Sequence, residues 1–255
     1  MVTFIISFLL FLAWHVFGTS IGYHRLLTHR AVKTFKPIEY FFVAGGYLAL
    51  EGSPIWWATM HRAHHRYSDT ELDPHTPRKG VKHSYNGWLN KRDYPEHISP
   101  QKQAADLVSD PVYAYLEQDG DLRKASKLCL YINVGFRLAL LLIGGPLVFV
   151  ASLLAGFIGH QLPLLINVIC HIDRFGYRNF ETTDDSINVW WLALATGGEA
   201  WHNNHHANPG SARFGLRAFE FDASWTLLKI LQGLGLVSKI NEATWSPSKA
   251  GQEVT

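Results

Sequence analysis

The stretch from Leu128 to Ile169 is apolar along almost its whole length. That run of about 42 residues is roughly twice the ~20 residues a helix needs to cross a bilayer. It is interrupted near Gly144-Gly145-Pro146, which predicts two helices joined by a tight turn, a transmembrane hairpin over 128–170. Arg137, inside the run, reads as a charge snorkelling to an interface or as a functional group. A second apolar run, from Met1 to about Tyr23 and broken mainly by His15, predicts a span over 2–22. It lacks a basic leading region and a small-residue cleavage site, so it is expected to stay as a span rather than to be removed as a signal peptide. Charged residues are only 17% of the 255, below the roughly 25% of soluble proteins. These features predict an all-α integral membrane protein with one domain over 1–255. The net charge of +2 gives no reason to expect nucleic acid as a partner.

The polar segments carry the chemistry. His61-Arg-Ala-His64-His65 and His202-Asn-Asn-His205-His206 both read His-x-x-His-His, and His24 and His29 form a further pair. On a helix, positions i, i+3 and i+4 share a face, so each triplet converges. Imidazole, neutral near physiological pH, is the commonest protein metal ligand. With His171, nine histidines make the candidate constellation: His24, His29, His61, His64, His65, His171, His202, His205 and His206. His15, His83, His97 and His160 read as structural or surface residues, as does His75 unless it supports a ligand. Nine nitrogens are too many for one ion, since a catalytic zinc typically takes three protein ligands; a pair of metals fits. Zinc carries no redox chemistry, and Cys129 and Cys170 lie in or beside apolar runs without CxxC spacing, so neither a thiolate site nor a disulfide framework is expected.

Convergence restricts the topology. Arg25, Arg30, Lys33 and Lys36 follow the first span, which puts that end on the cytoplasmic side. If residues 38–57 crossed the bilayer once, the groups at 24–29 and 61–65 would lie on opposite sides. That run is therefore predicted to be re-entrant or interfacial, with irregular backbone buried by protein. Residues 61–127 and 171–255 are expected to form a cytoplasmic helical cap, with short helices near 106–116 and 187–196. An interfacial amphipathic helix is expected over 225–237, and a frayed polar tail after it. Carboxylates should orient the histidines; Asp69, Asp73, Asp173, Asp185 and Glu199 are near the boxes in sequence and read equally well as solvated charges. Trp56, Trp57 and Trp201 read as lining an apolar channel or as interfacial packing, and Phe8 or Leu12 as the channel's end.

His24-Arg-Leu-Leu-Thr-His29, His61-Arg-Ala-His-His65 with Ser68-Asp69 and Asp73-Pro74-His75, and His202-Asn-Asn-His-His206 resemble the three histidine boxes of the membrane acyl-CoA (stearoyl-CoA type) Δ9 fatty acid desaturases. Asn167-x-x-x-His171 followed by Phe175-Gly-Tyr-Arg178 resembles that family's fourth signature, and the flanks are closest to bacterial members. The resemblance implies a cis double bond introduced into a saturated acyl chain, a non-haem centre of two irons, and O2 as co-substrate. It implies one iron on His24, His29, His61, His65 and His206, and the other on His64, His171, His202 and His205, with Asn167 reaching the latter through water. The family has four spans; three are expected here. Animal acyl-CoA members carry a basic residue where this chain has Thr59, so the acyl carrier is open between CoA, a lipid and a carrier protein. No fused donor domain is visible, which implies a separate electron donor of ferredoxin, rubredoxin or cytochrome b5 type. A membrane hydroxylase or oxidase is the alternative, and a non-enzymatic metal carrier a third, disfavoured because the spans are dry.

Overall fold

The computed structural model describes residues 1–90 and 93–244. The polar segment 245–255, expected to fray, lies outside them.

The predicted span over 2–22 is two helical forms in series. Helix α1, Val2–Phe17, runs directly into a π-helix, Gly18–Thr28. The wider winding of a π-helix often marks a functional site, and this one carries His24 and ends at His29, whose N–H donates to the His24 carbonyl. Strand β1, Val32–Thr34, follows, then helix α2, Lys36–Tyr47. Glycines set the approach of the first helix to α2. A Cβ on Gly18 would lie 2.3 Å from the Gly46 nitrogen, and one on Gly45 would lie 2.4 Å from the Trp14 carbonyl. The two backbones touch, the contact small residues permit between membrane helices.

The 38–57 run is broken in the middle. Helix α2 stops at Tyr47, a turn follows, and helix α3, Pro54–Tyr67, begins with proline in its first turn, where the missing N–H costs nothing. Leu50 (φ 64°) and Gly52 (φ 81°) turn the chain in the left-handed region. The segment beyond α3 holds short helices α4 (Val81–Tyr85), α5 (Pro100–Gln103) and α6 (Pro111–Glu117). The helix expected near 106–116 starts only at Pro111, because Asp110 caps it through the Val112 and Tyr113 N–H groups.

Helix α7, Leu122–Ile169, is the apolar run, and it folds back at Gly145 (φ 78°, ψ −179°). Gly156 on the second arm lies against the guanidinium of Arg137 on the first. Helix α1 packs on both arms, with Phe11 edge-on to Phe136 and His15 against Gly159. Both Val2–Thr28 and Leu122–Ile169 are long and apolar enough to cross a membrane. Leu10, Leu142 and Ile143 project from them fully or largely exposed, which in water would be a liability and in lipid is not.

After α7 come helices α8 (Trp190–Ala195), α9 (His202–Ala207) and α10 (Ala223–Gly233), and strand β2 (Val237–Ile240). The amphipathic helix expected to reach Val237 ends earlier, because Gly233 and Gly235 (φ 74°) release the chain. Val237 instead pairs with Thr34, and β1 and β2 form a two-stranded antiparallel sheet. That pair ties the exit from the first histidine box to the C-terminal region and is the departure from an all-helical fold. Cys129 and Cys170 are free and buried.

Candidate metal centre

All nine histidines come together in two adjoining clusters. One holds His24, His29, His61, His65 and His205; the other holds His64, His171, His202 and His206. Within each cluster the candidate ligand atoms lie within 4.8 Å of one another. Their edges are short: Nε2–Nε2 separations are 3.0 Å for His24–His205, 3.0 Å for His61–His65 and 2.9 Å for His65–His205. In the second cluster they are 3.1 Å for His171–His202 and 3.0 Å for His202–His206. Two nitrogens each about 2.1 Å from an ion and at right angles stand about 3.0 Å apart. The buried Nε2 atoms of His29 and His64 have no hydrogen-bond partner, which a buried polar atom requires unless something else binds it. The donor set is imidazole throughout, and its spacing fits first-row transition metals.

The side chains group differently from the expected division at one point: His205 lies with the first cluster and His206 with the second. Helical geometry gives the reason. At about 100° per residue, i+4 lies about 40° to one side of i and i+3 about 60° to the other. In α3 the i, i+4 pair His61 and His65 serves the first cluster, and His64 turns to the second. In α9 the pair His202 and His206 serves the second cluster, and His205 turns to the first. The two boxes therefore exchange their i+3 histidines. His65 and His206, with ring centroids 4.5 Å apart, are where the clusters meet.

Carboxylates stand behind four of the ligand rings. Nδ1 of His64 donates to Asp73 at 3.0 Å, that of His171 to Asp69 at 2.8 Å and that of His206 to Asp184 at 2.7 Å. The Nδ1 of His24 donates to Glu199, which also accepts from Arg25 and Ser20. Each bond fixes the proton on Nδ1 and leaves the Nε2 lone pair facing the cluster. Asp69, Asp73 and Glu199 are thus where the sequence suggested. Asp173 instead pairs with Arg178, and Asp185 with Arg78. Asp184, the residue missed, accepts from Thr182 and the Ser186 N–H through its other oxygen, a turn that only the folded loop creates. His75 stacks on His64 at 4.2 Å and donates its backbone N–H to the Asp73 carboxylate, so it supports the His64 ring.

Burial, reinforced by neighbouring imidazoles, pushes His29, His61, His65, His202 and His205 well below the usual imidazole range. Burial also lowers His206, to about 4, against the pull of Asp184. Burial opposes ionisation of Glu199, yet His24 and Arg25 hold it down at about 2. These six rings are therefore held neutral, whereas the Asp73 carboxylate pulls His64 upward against its burial.

Two cavities meet beside the clusters. The larger, about 290 Å³, is bounded by Glu51, Trp56, His75 and Trp88 among others; the smaller, about 50 Å³, reaches Val16, Thr19 and Glu199. Trp57, His61, Pro163 and Asn167 line both. Asn167 thus stands at the junction, and Trp57 lies on His61 with centroids 4.9 Å apart. Trp56 stacks on Trp88. Trp201 faces neither cavity; it is buried, and its Nε1 donates to the Phe221 carbonyl. Phe8 and Leu12 line neither, and the first helix reaches the smaller cavity through Val16 and Thr19. His83 and His97 bond backbone carbonyls, as structural residues do.

The chain matches the fatty acid desaturase family over residues 2–220. It is 39% identical over 241 residues to an acyl-CoA C20 Delta5-desaturase of Anemone leveillei, covering 93% of this chain and 73% of that protein. It is 39% identical over 227 residues to an sn-1 stearoyl-lipid 9-desaturase of Anabaena variabilis, covering 89% and 79%. With Delta-9 acyl-lipid desaturase 1 of Arabidopsis thaliana it shares 36% identity over 225 residues, covering 88% and 70%. A histidine-rich site beside an apolar cavity and these relationships lead to one conclusion: the chain belongs to the fatty acid desaturase family, and it is an oxidoreductase that desaturates fatty acyl chains.

Proposed function

We propose that the protein introduces a cis double bond at the Δ9 position of a saturated acyl chain at a non-haem centre of two irons on the cytoplasmic face of the membrane. His24, His29, His61, His65 and His205 would hold one iron; His64, His171, His202 and His206 would hold the other, with Asn167 reaching it through water. The observation that carries this reading is the meeting of two imidazole clusters, with edges near 3 Å, at the junction of two cavities. Val2–Thr28 and the two arms of α7 would make three crossings, with α2 and the turn after it dipping in and returning. The acyl chain, on a lipid or on CoA, would occupy the larger cavity and extend past His61 into the smaller one. Thr59 is uncharged and fully buried, so it makes no ion pair with the phosphates of a carrier.

Bound iron would supply the oxidation, in which O2, two electrons from a separate donor protein and two protons are consumed, two hydrogens leave adjacent methylenes, and two waters form. The protein's own residues do the rest. Asp69, Asp73, Asp184 and Glu199 keep a proton on Nδ1 of their partner rings and hold those rings in place. Trp57 and Pro163 give the junction apolar walls that exclude water and hold the chain against His61.

The test is expression in a host whose lipids are saturated, with double-bond positions read by mass spectrometry. A product lighter by two hydrogens and unsaturated at carbon 9 is expected. Unsaturation at another carbon would overturn the regiochemistry, and gain of one oxygen would favour a hydroxylase.

A further inference from the structure

The buried polar groups between the apolar helices have no part in the chemistry above. Helix α2 ends inside this layer; N–H groups of the turn meet the Ala44, Gly46 and Tyr47 carbonyls, and a carbonyl at a helix end without such a partner needs one from elsewhere. In an apolar surrounding each unsatisfied one costs several kcal/mol. Three side chains from other helices meet carbonyls at this end. His15 of α1 donates Nδ1–H to the Gly45 carbonyl at 2.8 Å. Asn133 on the first arm of α7 donates to the Tyr47 carbonyl at 3.0 Å, and Arg137, one turn on, donates Nη2–H to the Leu48 carbonyl at 2.6 Å. Arg137 also holds the Asn133 amide oxygen at 2.8 Å. All three are buried, and Gly156 opposite makes the room: a Cβ there would lie 2.6 Å from Nη2. A charge snorkelling to the interface, one reading of Arg137 from sequence, is thereby replaced by an inward-facing clamp.

The clamped carbonyls are the last before the turn that shapes the larger cavity. Glu51, Gly52 and Ser53 line that cavity. The Glu51 carboxylate accepts the Trp57 indole N–H at 3.1 Å, and Trp57 lies on His61 where the two cavities join. We propose that Arg137, with Asn133, is a positioning residue for the acyl cavity: by fixing the Leu48 carbonyl from the membrane hairpin, it sets where Glu51 and Trp57 stand relative to the histidines, and so which carbons of the chain lie beside them. This rests on the acyl chain occupying the joined cavities.

The experiment compares wild type with Arg137→Met, Arg137→Lys and Asn133→Ala, expressed in a host with saturated lipids. Iron per chain and the positions and chain lengths of the products are measured. The Met variant is expected to keep its iron and to shift the ratio of double-bond isomers by about tenfold, the scale of one lost hydrogen bond to a charged group. The Lys variant, which keeps a donor, should restore much of the wild-type ratio. Where the Met variant does not accumulate folded, Asn133→Ala carries the same expectation. Iron-loaded variants with the wild-type product profile, or with less product in unchanged proportions, overturn the inference alone. A wild-type chain that forms no double bond overturns the functional reading with it.

Discussion

Asp184 and Asp185 are adjacent in sequence, have the same chemistry, and differ only in what the fold does with them. Asp184 accepts Nδ1–H of His206 at 2.7 Å and is 9% exposed, while Asp185 makes its ion pair with the half-exposed Arg78. Consider Asp184→Asn. The amide keeps one oxygen for Thr182 and the Ser186 N–H, which turns its NH2 toward the Nδ1–H of His206, donor against donor. Flipping the amide restores the histidine bond and moves the conflict to the Ser186 N–H. One charge-assisted bond is lost in either case, and the His206 ring loses the partner that fixes its tautomer. Loss of such a partner typically costs about 10- to 100-fold in metal affinity, or ~1.4–2.7 kcal/mol. Asp185→Asn should cost under about 1 kcal/mol, as exposed pairs do. The assay is retention of iron by the purified membrane protein under graded chelator, read as metal per chain. Asp184→Asn should release metal at a chelator concentration at least about tenfold lower than wild type, with Asp185→Asn unchanged. Equal retention by the two variants, or loss only in Asp185→Asn, would refute the assignment of Asp184.

Three further perturbations probe other parts of the site. His64→Ala and His205→Ala remove the i+3 ligand of each box and should empty opposite sites, so each single variant should keep about half the iron, and the two should differ in the spectroscopic signature of what remains. Lowered imidazoles predict the pH response of the iron-free protein: between about pH 6.5 and 4 the unfolded chain binds more protons than the folded clusters, so stability rises with pH through that window, a trend that thermal unfolding in detergent measures and a flat profile would contradict. Iron itself should be retained at pH 6 and released steeply on further acidification, because several rings must take protons together. Gly18→Ala would drive a methyl group to 2.3 Å from the Gly46 backbone. Overpacking of this kind costs about 1–3 kcal/mol, to be read as a lowered melting temperature with unchanged iron content in the protein that folds.

The parts of this structure legible in the sequence are those set by local geometry. His-x-x-His-His on a helix can only present its rings within about one turn, so six of the nine histidines could be named from that motif without a fold. The same rule contained the division between clusters, since i+3 and i+4 fall on opposite sides of i, and His205 and His206 separate accordingly. Gly144-Gly145-Pro146 likewise announced the fold-back of α7. What stayed hidden depends on partners far away in the chain. Nothing near Leu48 says that its carbonyl will be met by Arg137, 89 positions on, or Gly45 by His15, 30 positions back. Without those partners the 38–57 run reads only as re-entrant or interfacial, with nothing to say where it breaks, and Arg137 looks like a stray charge. Val237 has the sequence of a helix end because its strand partner, Thr34, lies at the other end of the polypeptide. Sequence alone does not separate Asp184 from Asp185, because a turn through Thr182 and Ser186, absent from any periodicity, chooses which carboxylate faces inward. Which histidines can converge is therefore a local property, while the orientation of their rings and the shape of the cavity are tertiary ones. A sequence that preserved every histidine but lost Asp184 would keep the motifs and lose the bond that orients His206.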